Sequence, residues 1–283
     1  MKLTPYIRKL VKAGLREDIG SGDITTLLVI DPKEKATAEI IAKQKGILAG
    51  VDLATSVFKS VAGGLKVRSL KPDGAGLRKS ERILTVSGSA RSILTAERTA
   101  LNFLSHLSGI ATLTDSYVRR IRNTGAAIYD TRKTTPILRI LEKYAVRRGG
   151  GKNHRLGLFD QILIKNNHIK VAGTIPSAVS RARRRNIKRL KLEVETGNLN
   201  QVRQALQAGA DWIMLDNMSL SEIREAVKLV RKAKRKTTVE ASGRVTLHNV
   251  RAIAKTGVNV ISVGSLTHSA PALDFSLKIV RIK

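Results

Sequence analysis

Short apolar runs alternate with amphipathic helical stretches along the chain from about Leu107 onward. Runs of strand length separated by helices indicate a parallel sheet made of βα units, and six such runs favour an incomplete or irregular barrel. The runs are AAIYD (126–130), QILIK (161–165), LKLEVE (190–195), DWIMLD (211–216), TTVEAS (237–242) and VNVISVG (258–264). The C-terminal ends of barrel strands form the active face. We therefore expect one mouth to be formed by the strand-end residues Asp130, Lys165, Glu195, Asp216, Ser242 and Gly264.

The first hundred residues mix strand-like runs, turns and a long helical stretch, which indicates a separate domain of sheet and helix. The chain has 283 residues and is 42% hydrophobic, which is enough for two domains with real cores. It contains no cysteine, so disulfides, thiolate metal sites and cysteine nucleophiles are excluded, and a cytoplasmic location is expected. No apolar run approaches the roughly 18 residues of a membrane span. The start, MKLTPYIRKL, lacks the apolar core of a signal peptide.

The charge is strongly basic, with 52 Lys and Arg against 22 Asp and Glu, or a net charge of +30. Such a balance is typical of nucleic-acid-binding proteins. Many of the cations, however, lie in 181–191 and 228–236, at the ends of predicted helices, where they complement the helix dipole and stay solvated. Aromatic residues make up only 3% of the chain, which leaves few platforms for stacking bases. We expect nucleic-acid binding to be adventitious.

Cationic side chains and glycines are concentrated between Asp130 and Ile169. Arginine grips a carboxylate or phosphate with a planar fork, lysine adds a mobile charge, and Gly149–Gly151 would let backbone amides approach a ligand. The segment predicts a strongly anionic substrate. The candidate ligands of this anion are Arg132, Lys133, His154, Arg155 and Lys165.

Two carboxylates end neighbouring predicted strands, Glu195 and Asp216. One or two carboxylates, completed by water and substrate oxygens, form the usual protein site for Mg²⁺. The alternative is that both are strand-end caps or salt-bridge partners. Glu193 lies on the same side of its strand as Glu195, and its role stays open.

Ordered sequence blocks along nearly the whole chain resemble the quinolinate phosphoribosyltransferase family. Together with the stretch from Asp130, the blocks are REDIGSGDITT (16–26), ERTALNFLSHLSGIAT (97–112), LEVET (192–196), MLDN (214–217), EASG (240–243) and ISVGSLTHS (261–269). The resemblance implies an α/β fold with an N-terminal α/β sandwich domain (1–107) and an irregular, seven-stranded β/α barrel (108–270). The tail, about 271–283, would return to the first domain.

The resemblance also implies a decarboxylating pentosyltransferase of de novo NAD biosynthesis. Quinolinate and phosphoribosyl pyrophosphate would give nicotinate mononucleotide, pyrophosphate and CO₂, with Mg²⁺ as the cofactor and no organic cofactor. The enzyme would be a homodimer or a higher even oligomer, with Arg98 of one subunit reaching the site of its partner.

The resemblance assigns roles to individual residues. The dicarboxylate pocket would be formed by Arg98, Arg132, Lys133, His154 and Arg155. Glu195 and Asp216 would bind metal and ribose, and Lys165 would bind phosphate or pyrophosphate. The ribose 5′-phosphate would be held by Ser242, Gly243, Gly264 and, more weakly, His268. The residues expected to take part in catalysis are Lys133, Glu195 and Asp216, whereas His154 could instead be a structural histidine.

Two positions depart from the family pattern. Ile137 follows Thr135-Pro136 where a small residue is expected, and could narrow the mouth of the pocket, while Asn166 stands where an acidic residue is frequent. The competing interpretations are a related phosphoribosyltransferase-like protein of molybdate transport and a nucleic-acid-binding protein. The retained cations Arg98, Arg132, Lys133 and Arg155 favour the dicarboxylate substrate.

Overall fold

The chain forms two compact units in a computed structural model that describes residues 1–233 and 236–282. The first unit comprises Met1–Leu113 and Ala270–Lys283, and the second comprises Thr114–Ser269. This division lies within the long helix Ala90–Arg120, which also contains the expected boundary between residues 107 and 108. Lys234 and Arg235 of the second cationic run lie outside the described residues.

The first unit contains a four-stranded antiparallel sheet with the order β12-β1-β5-β3. Alternate residues of β1 are buried, so one face of the strand packs into the core. A short two-stranded sheet pairs β2 with β4. The elements are α1 (Pro5–Ile19), α2 (Ile24–Val29), β1 (Lys35–Ala42), β2 (Gly46–Ile47), α3 (Val51–Val61), β3 (Lys66–Ser69), β4 (Gly76–Leu77), β5 (Arg82–Ser89), α4 (Ala90–Arg120) and β12 (Phe275–Ile282).

The second unit alternates strands with helices, as the sequence predicts. Its elements are β6 (Ala127–Tyr129), α5 (Arg139–Arg148), β7 (Ile162–Ile164), α6 (Asn166–Ala172), α7 (Ile175–Arg185), β8 (Leu192–Thr196), α8 (Leu199–Gln207), β9 (Trp212–Asp216), α9 (Leu220–Lys232), β10 (Thr238–Ser242), α10 (Val250–Ala254), β11 (Val260–Ser262) and α11 (Ser265–His268). Five of the six predicted runs contain one of these strands, and β8 overlaps the sixth run, 190–195, but extends one residue beyond it to Thr196. The α/β class and its barrel-like unit are confirmed.

The strands of the second unit form a parallel sheet with the order β6-β11-β10-β9-β8-β7 in the described residues. Within the described ranges, a seventh position is occupied by a single bridge, in which Lys152 pairs in parallel with Tyr129. Lys152 donates its backbone N–H to Ile128 at 2.8 Å and accepts from Asp130 at 3.1 Å. The glycines before it provide the turn into this bridge, since Gly150 has a φ of 85°.

Side-chain caps fix where the barrel helices begin. Asn198 accepts from Gln201 N at 3.0 Å, and Ser219 forms a capping box with Glu222. The last turns of α7 and α9 are basic, which complements the helix dipole as expected. Across the described residues, no helix is long and apolar enough to cross a membrane.

Candidate active site

A cavity of about 760 Å³ opens at the C-terminal strand ends of the second unit. All of the predicted ligands except Arg98 line it. Its lining comprises Thr131, Arg132, Lys133, His154, Arg155, Leu163, Lys165, Glu195, Met214, Asp216, Asn217, Glu240, Ser242, Gly243, Arg244, Val245, Ser262, Val263, Gly264, Ser265 and His268. Parallel strands bring these residues together because their C-terminal ends meet at one edge of the sheet.

Two predicted positions differ from this pattern. Arg98 is exposed on α4 in the first unit, so its assignment to a partner's pocket stays a prediction. Asp130 was expected at the mouth but is fully buried, where it accepts hydrogen bonds from Lys143, Asn153 and the backbone N–H of His154. The prediction for Asp130 was wrong because the chain folds back over it after β6 and encloses it in a structural ion pair.

Two arginines of the cavity, Arg132 and Arg155, lie close enough for their charges to interact. Arg155 is 8% exposed and donates to the Gln161 carbonyl at 3.4 Å. Burial lowers the pKa of Arg155, and the neighbouring charge of Arg132 lowers it further. Arg132 Nε is buried and has no hydrogen-bond acceptor among the described residues. This arrangement is unfavourable without an anion, so the geometry favours a carboxylate or phosphate between the two side chains.

The carboxylates of Glu195 and Asp216 both reach the cavity from neighbouring strands. Asp216 accepts a hydrogen bond from Asn217 Nδ2 at 2.9 Å, and Glu195 has no ion partner within the described part of the chain. Both side chains are only partly buried, so water and substrate oxygens can complete a cation's shell. The pair fits the ligands that Mg²⁺ prefers.

Two further carboxylates, those of Glu193 and Glu240, lie in the barrel interior. The sequence alone did not assign a role to either of them. His154 Nε2 lies 3.1 Å from Glu193 Oε2 and 3.4 Å from Glu240 Oε2, and both carboxylates are fully buried. Burial alone lowers the pKa of His154, but the two carboxylates outweigh it and raise that pKa to about 10. Burial and the charge of Glu240 raise the pKa of Glu193 to about 7.

The ring nitrogens of His154 are both directed at protein atoms. Nδ1 accepts the Arg155 backbone N–H at 2.8 Å, and Nε2 faces the two carboxylates. In this conformation neither nitrogen is available to bind a substrate carboxylate, which agrees with the alternative that His154 has a structural role. One potential metal-ligand atom from each of His154, Glu193 and Glu240 lies within 4.8 Å of the other two. A proton on Nε2 disfavours that use, and Mg²⁺ prefers oxygen ligands.

The turns after β10 and β11 expose backbone at the cavity. Gly243 has a φ of 92°, and a Cβ atom there would lie 2.3 Å from Asn217 Oδ1, so the position requires glycine. Thr267 Oγ1 donates to the Lys133 carbonyl at 2.7 Å, which joins helix α11 to the turn after β6. Ser242, Gly243 and Gly264 all line the cavity, where two of the three have no side chain to cover their backbone.

The two departures from the family pattern lie outside the cavity lining. Ile137 is 67% exposed with a φ of 62°, a left-handed conformation that is unusual for a β-branched residue. The isoleucine at position 137 therefore affects the backbone of its turn and does not narrow the pocket, contrary to the expectation from the sequence. Asn166 is exposed at the first position of α6.

Comparison with known proteins places these features in one family. Residues 23–108 match the family model described as quinolinate phosphoribosyl transferase, N-terminal domain, and residues 110–278 match that of the C-terminal domain. A probable nicotinate-nucleotide pyrophosphorylase (carboxylating) of Methanocaldococcus jannaschii is 44% identical, with 99% of each chain covered. The protein of the same name from Synechocystis is 44% identical over 94% of this chain and 90% of its own.

Solved structures agree with the sequence comparisons. NadC from Streptococcus pyogenes superimposes with a TM-score of 0.94 at 40% identity, covering 100% of this chain and 99% of that one. The nicotinate-nucleotide pyrophosphorylase from Francisella tularensis gives a TM-score of 0.92 at 43% identity, with 97% and 96% covered.

Proposed function

We propose, for a chain that belongs to the quinolinate phosphoribosyltransferase family, the conversion of quinolinate and phosphoribosyl pyrophosphate to nicotinate mononucleotide, pyrophosphate and CO₂. The relatives' name, pyrophosphorylase (carboxylating), describes the same reaction in the reverse direction. A relative from Nicotiana tabacum is named in the forward direction, as a quinolinate phosphoribosyltransferase (decarboxylating). The product would serve NAD biosynthesis.

The observation that carries the proposal is that the predicted cations and the two predicted metal-binding carboxylates converge on one cavity. Arg132 and Arg155 offer two forks to the adjacent carboxylates of quinolinate, which a single cation would leave partly unpaired. Lys133 adds a mobile charge beside the dicarboxylate, and Lys165 adds one for the phosphate groups of the second substrate. Glu195 and Asp216 face the same space, as a metal-dependent phosphoribosyl transfer requires.

The reaction divides into two steps. In the first, a bond forms between the pyridine nitrogen and the anomeric carbon, while the bond from that carbon to pyrophosphate breaks. The nitrogen is then quaternary and positively charged. In the second, the carbon–carbon bond to the adjacent carboxylate breaks, CO₂ leaves, and a proton is added to the ring carbon. The protein positions the ring and neutralises the substrate anions.

We assign the metal to Glu195 and Asp216, with ribose hydroxyls as additional ligands. When bound, Mg²⁺ would neutralise charge on the departing pyrophosphate. The side chains themselves would orient the ribose and keep its anomeric carbon near the pyridine nitrogen. The amides around Gly243 and Gly264 would hold the 5′-phosphate, because backbone N–H groups at such turns bind phosphate well.

We also propose a homodimeric or larger even assembly that acts in the cytoplasm. The lack of cysteine fits a reducing compartment. Four apolar residues of α2 are more than half exposed, a surface typical of subunit contacts, and they are Ile24, Leu27, Leu28 and Val29.

Turnover with purified protein tests the function. The protein is incubated with quinolinate and phosphoribosyl pyrophosphate, with and without Mg²⁺, and nicotinate mononucleotide and CO₂ are measured. We expect product only with the metal, and poor turnover of nicotinate, which lacks the second carboxylate. Equal use of nicotinate would contradict the dicarboxylate pocket, and absence of product would contradict the function.

A further inference from the structure

Glu240 is a carboxylate buried at the cavity with too few partners. It lies in the middle of β10, is 0% exposed and lines the cavity. Neither of its oxygens has a donor in good hydrogen-bond geometry among residues 1–233 and 236–282. By contrast, the equally buried Asp130 accepts from three donors. Burying an anion without hydrogen-bond donors destabilises the fold, so a functional reason for the carboxylate at this position is expected.

Among the described residues, the cation that contacts Glu240 is the imidazolium of His154, and Glu240 shares it with Glu193. His154 Nε2 is 3.4 Å from Glu240 and closer, at 3.1 Å, to Glu193. Glu193 has a further donor, Gln161 Nε2 at 2.7 Å, and the charge of Arg155 also acts on Glu193. The carboxylates of Glu193 and Glu240 thus share the imidazolium of His154. Glu240 has the longer contact with it and lacks the additional donor that Glu193 has.

We infer that Glu240 provides the negative charge that stabilises the positive charge developing on the pyridine nitrogen and the anomeric carbon. This inference rests on the proposed function, and it assigns to Glu240 a catalytic role that is separate from binding of the dicarboxylate. Quinolinate enters as a dianion, and Glu240 repels it. Once the nitrogen–carbon bond begins to form, the same carboxylate faces a cation and attracts it. An interaction that is stronger in the transition state than in the bound substrate accelerates the chemical step.

This assignment predicts opposite effects on binding and on rate. Removing the charge of Glu240 should leave quinolinate binding unchanged or make it tighter, because a repulsion is lost. The same change should lower kcat, because the cationic transition state loses its counter-charge. A residue that only supports the fold, or only aligns His154 and Arg155, would weaken both together.

The experiment compares Glu240→Gln, which keeps the shape of the side chain, with Glu240→Asp, which keeps its charge. We expect kcat of Glu240→Gln to fall by at least about tenfold, a loss typical of removing one electrostatic group from an active site. The quinolinate Kd of the free enzyme, measured by calorimetry, should be equal to or below that of the wild type. The kcat of Glu240→Asp should lie between those of the wild type and Glu240→Gln. Glu225→Gln, a change on the exposed face of α9, is the matched control and should alter neither quantity.

Each outcome decides between the two proposals. A wild-type protein that makes no nicotinate mononucleotide defeats the proposed function itself. An active wild type with an equally active Glu240→Gln variant defeats the inference alone. A folded Glu240→Gln with weaker quinolinate binding and lower kcat would make Glu240 a positioning residue and also overturn the inference. If Glu240→Gln does not fold, Glu240→Asp must still show reduced kcat without weaker binding, and weaker binding there overturns the inference.

Discussion

At the scale of single residues, the cavity places cations where they repel each other. Arg155 is nearly buried, and the charge of Arg132 adds to burial in lowering its pKa. The folded protein carries this repulsion as a cost, and an anionic substrate relieves it. Substrate binding is therefore expected to depend strongly on both guanidinium groups.

Replacing either arginine tests this dependence. We expect Arg132→Ala and Arg155→Ala each to lower kcat/KM for quinolinate by at least about tenfold, which corresponds to about 1.4 kcal/mol. Arg184→Ala, on the exposed side of α7, should change kcat/KM little. Arg183 is a poorer control than its sequence suggests, because it binds Asp211 at 2.7 Å and the Gly209 carbonyl at 2.9 Å. Equal losses at all three tested positions would mean that pocket and surface cations do not differ.

The ionisation of His154 gives a prediction for stability. Its pKa is raised from 6.5 to about 10 in the folded protein, so the folded state holds the proton more tightly than the unfolded state. The resulting stabilisation is complete below about pH 6.5 and is lost as the pH rises through about 10. Between these limits the free energy of unfolding of the wild type should fall by at least about 1.4 kcal/mol more than that of His154→Gln. Urea unfolding across this range measures the difference, and parallel curves for the two proteins would contradict it.

Single residues at strand ends could be predicted from sequence, but those in strand interiors could not. Four residues at or next to the C-terminal ends of strands line the cavity, and they are Lys165, Glu195, Asp216 and Ser242. Glu240 lies two residues before Ser242 in a run that otherwise reads as a buried strand, and its partners come from distant parts of the chain. A charged residue in the middle of an apolar run was the available signal, because burying a charge requires a specific reason.

At the scale of elements, the apolar runs predicted all six strands because each run is bounded by polar or glycine residues. The seventh position could not be predicted, because a single bridging residue at Lys152 leaves no periodic pattern. In the first unit, β2 and β4 span two residues each and are held by tertiary pairing rather than local propensity. The sequence therefore indicated the class of that unit but not its strands.

The turn between β6 and α5 contains a strained position that can be relieved. Ile137 has a φ of 62°, a conformation that costs an ordinary L-residue roughly 1–2 kcal/mol and glycine very little. We expect Ile137→Gly to raise the free energy of unfolding by about 1 kcal/mol, allowing for the greater freedom of glycine in the unfolded chain. Ile187→Gly is the control, since Ile187 is 92% exposed and does not have a positive φ. A denaturant midpoint that falls equally in both variants would show that Ile137 is unstrained or is held by its neighbours.

At the scale of the whole molecule, the cations behind the net charge of +30 lie partly in the cavity and partly on the exposed surface. The cations of the cavity are few, and the runs near the ends of α7 and α9 are mostly exposed in the described residues. Much of the charge is therefore solvated and available for weak, salt-dependent contact with polyanions. The exposed apolar residues of α2 form a different surface, which we propose for the contact with a second copy of the chain.

In the proposed dimer, each active site is expected to contain residues from both subunits. Arg98 is exposed in the first unit, whereas the carboxylate of Glu195 lies in the cavity of the second. If Arg98 serves the partner's cavity in a two-fold dimer, mixing inactive Arg98→Ala and Glu195→Ala chains places both lesions in one site of each heterodimer and leaves the other site native. With random exchange, half of the dimers are mixed and half of their sites are intact, so activity should recover to roughly a quarter of the wild type. Mass spectrometry verifies the heterodimers, and each variant alone provides the baseline. Heterodimers without recovered activity would mean that Arg98 acts within its own subunit or only in the fold.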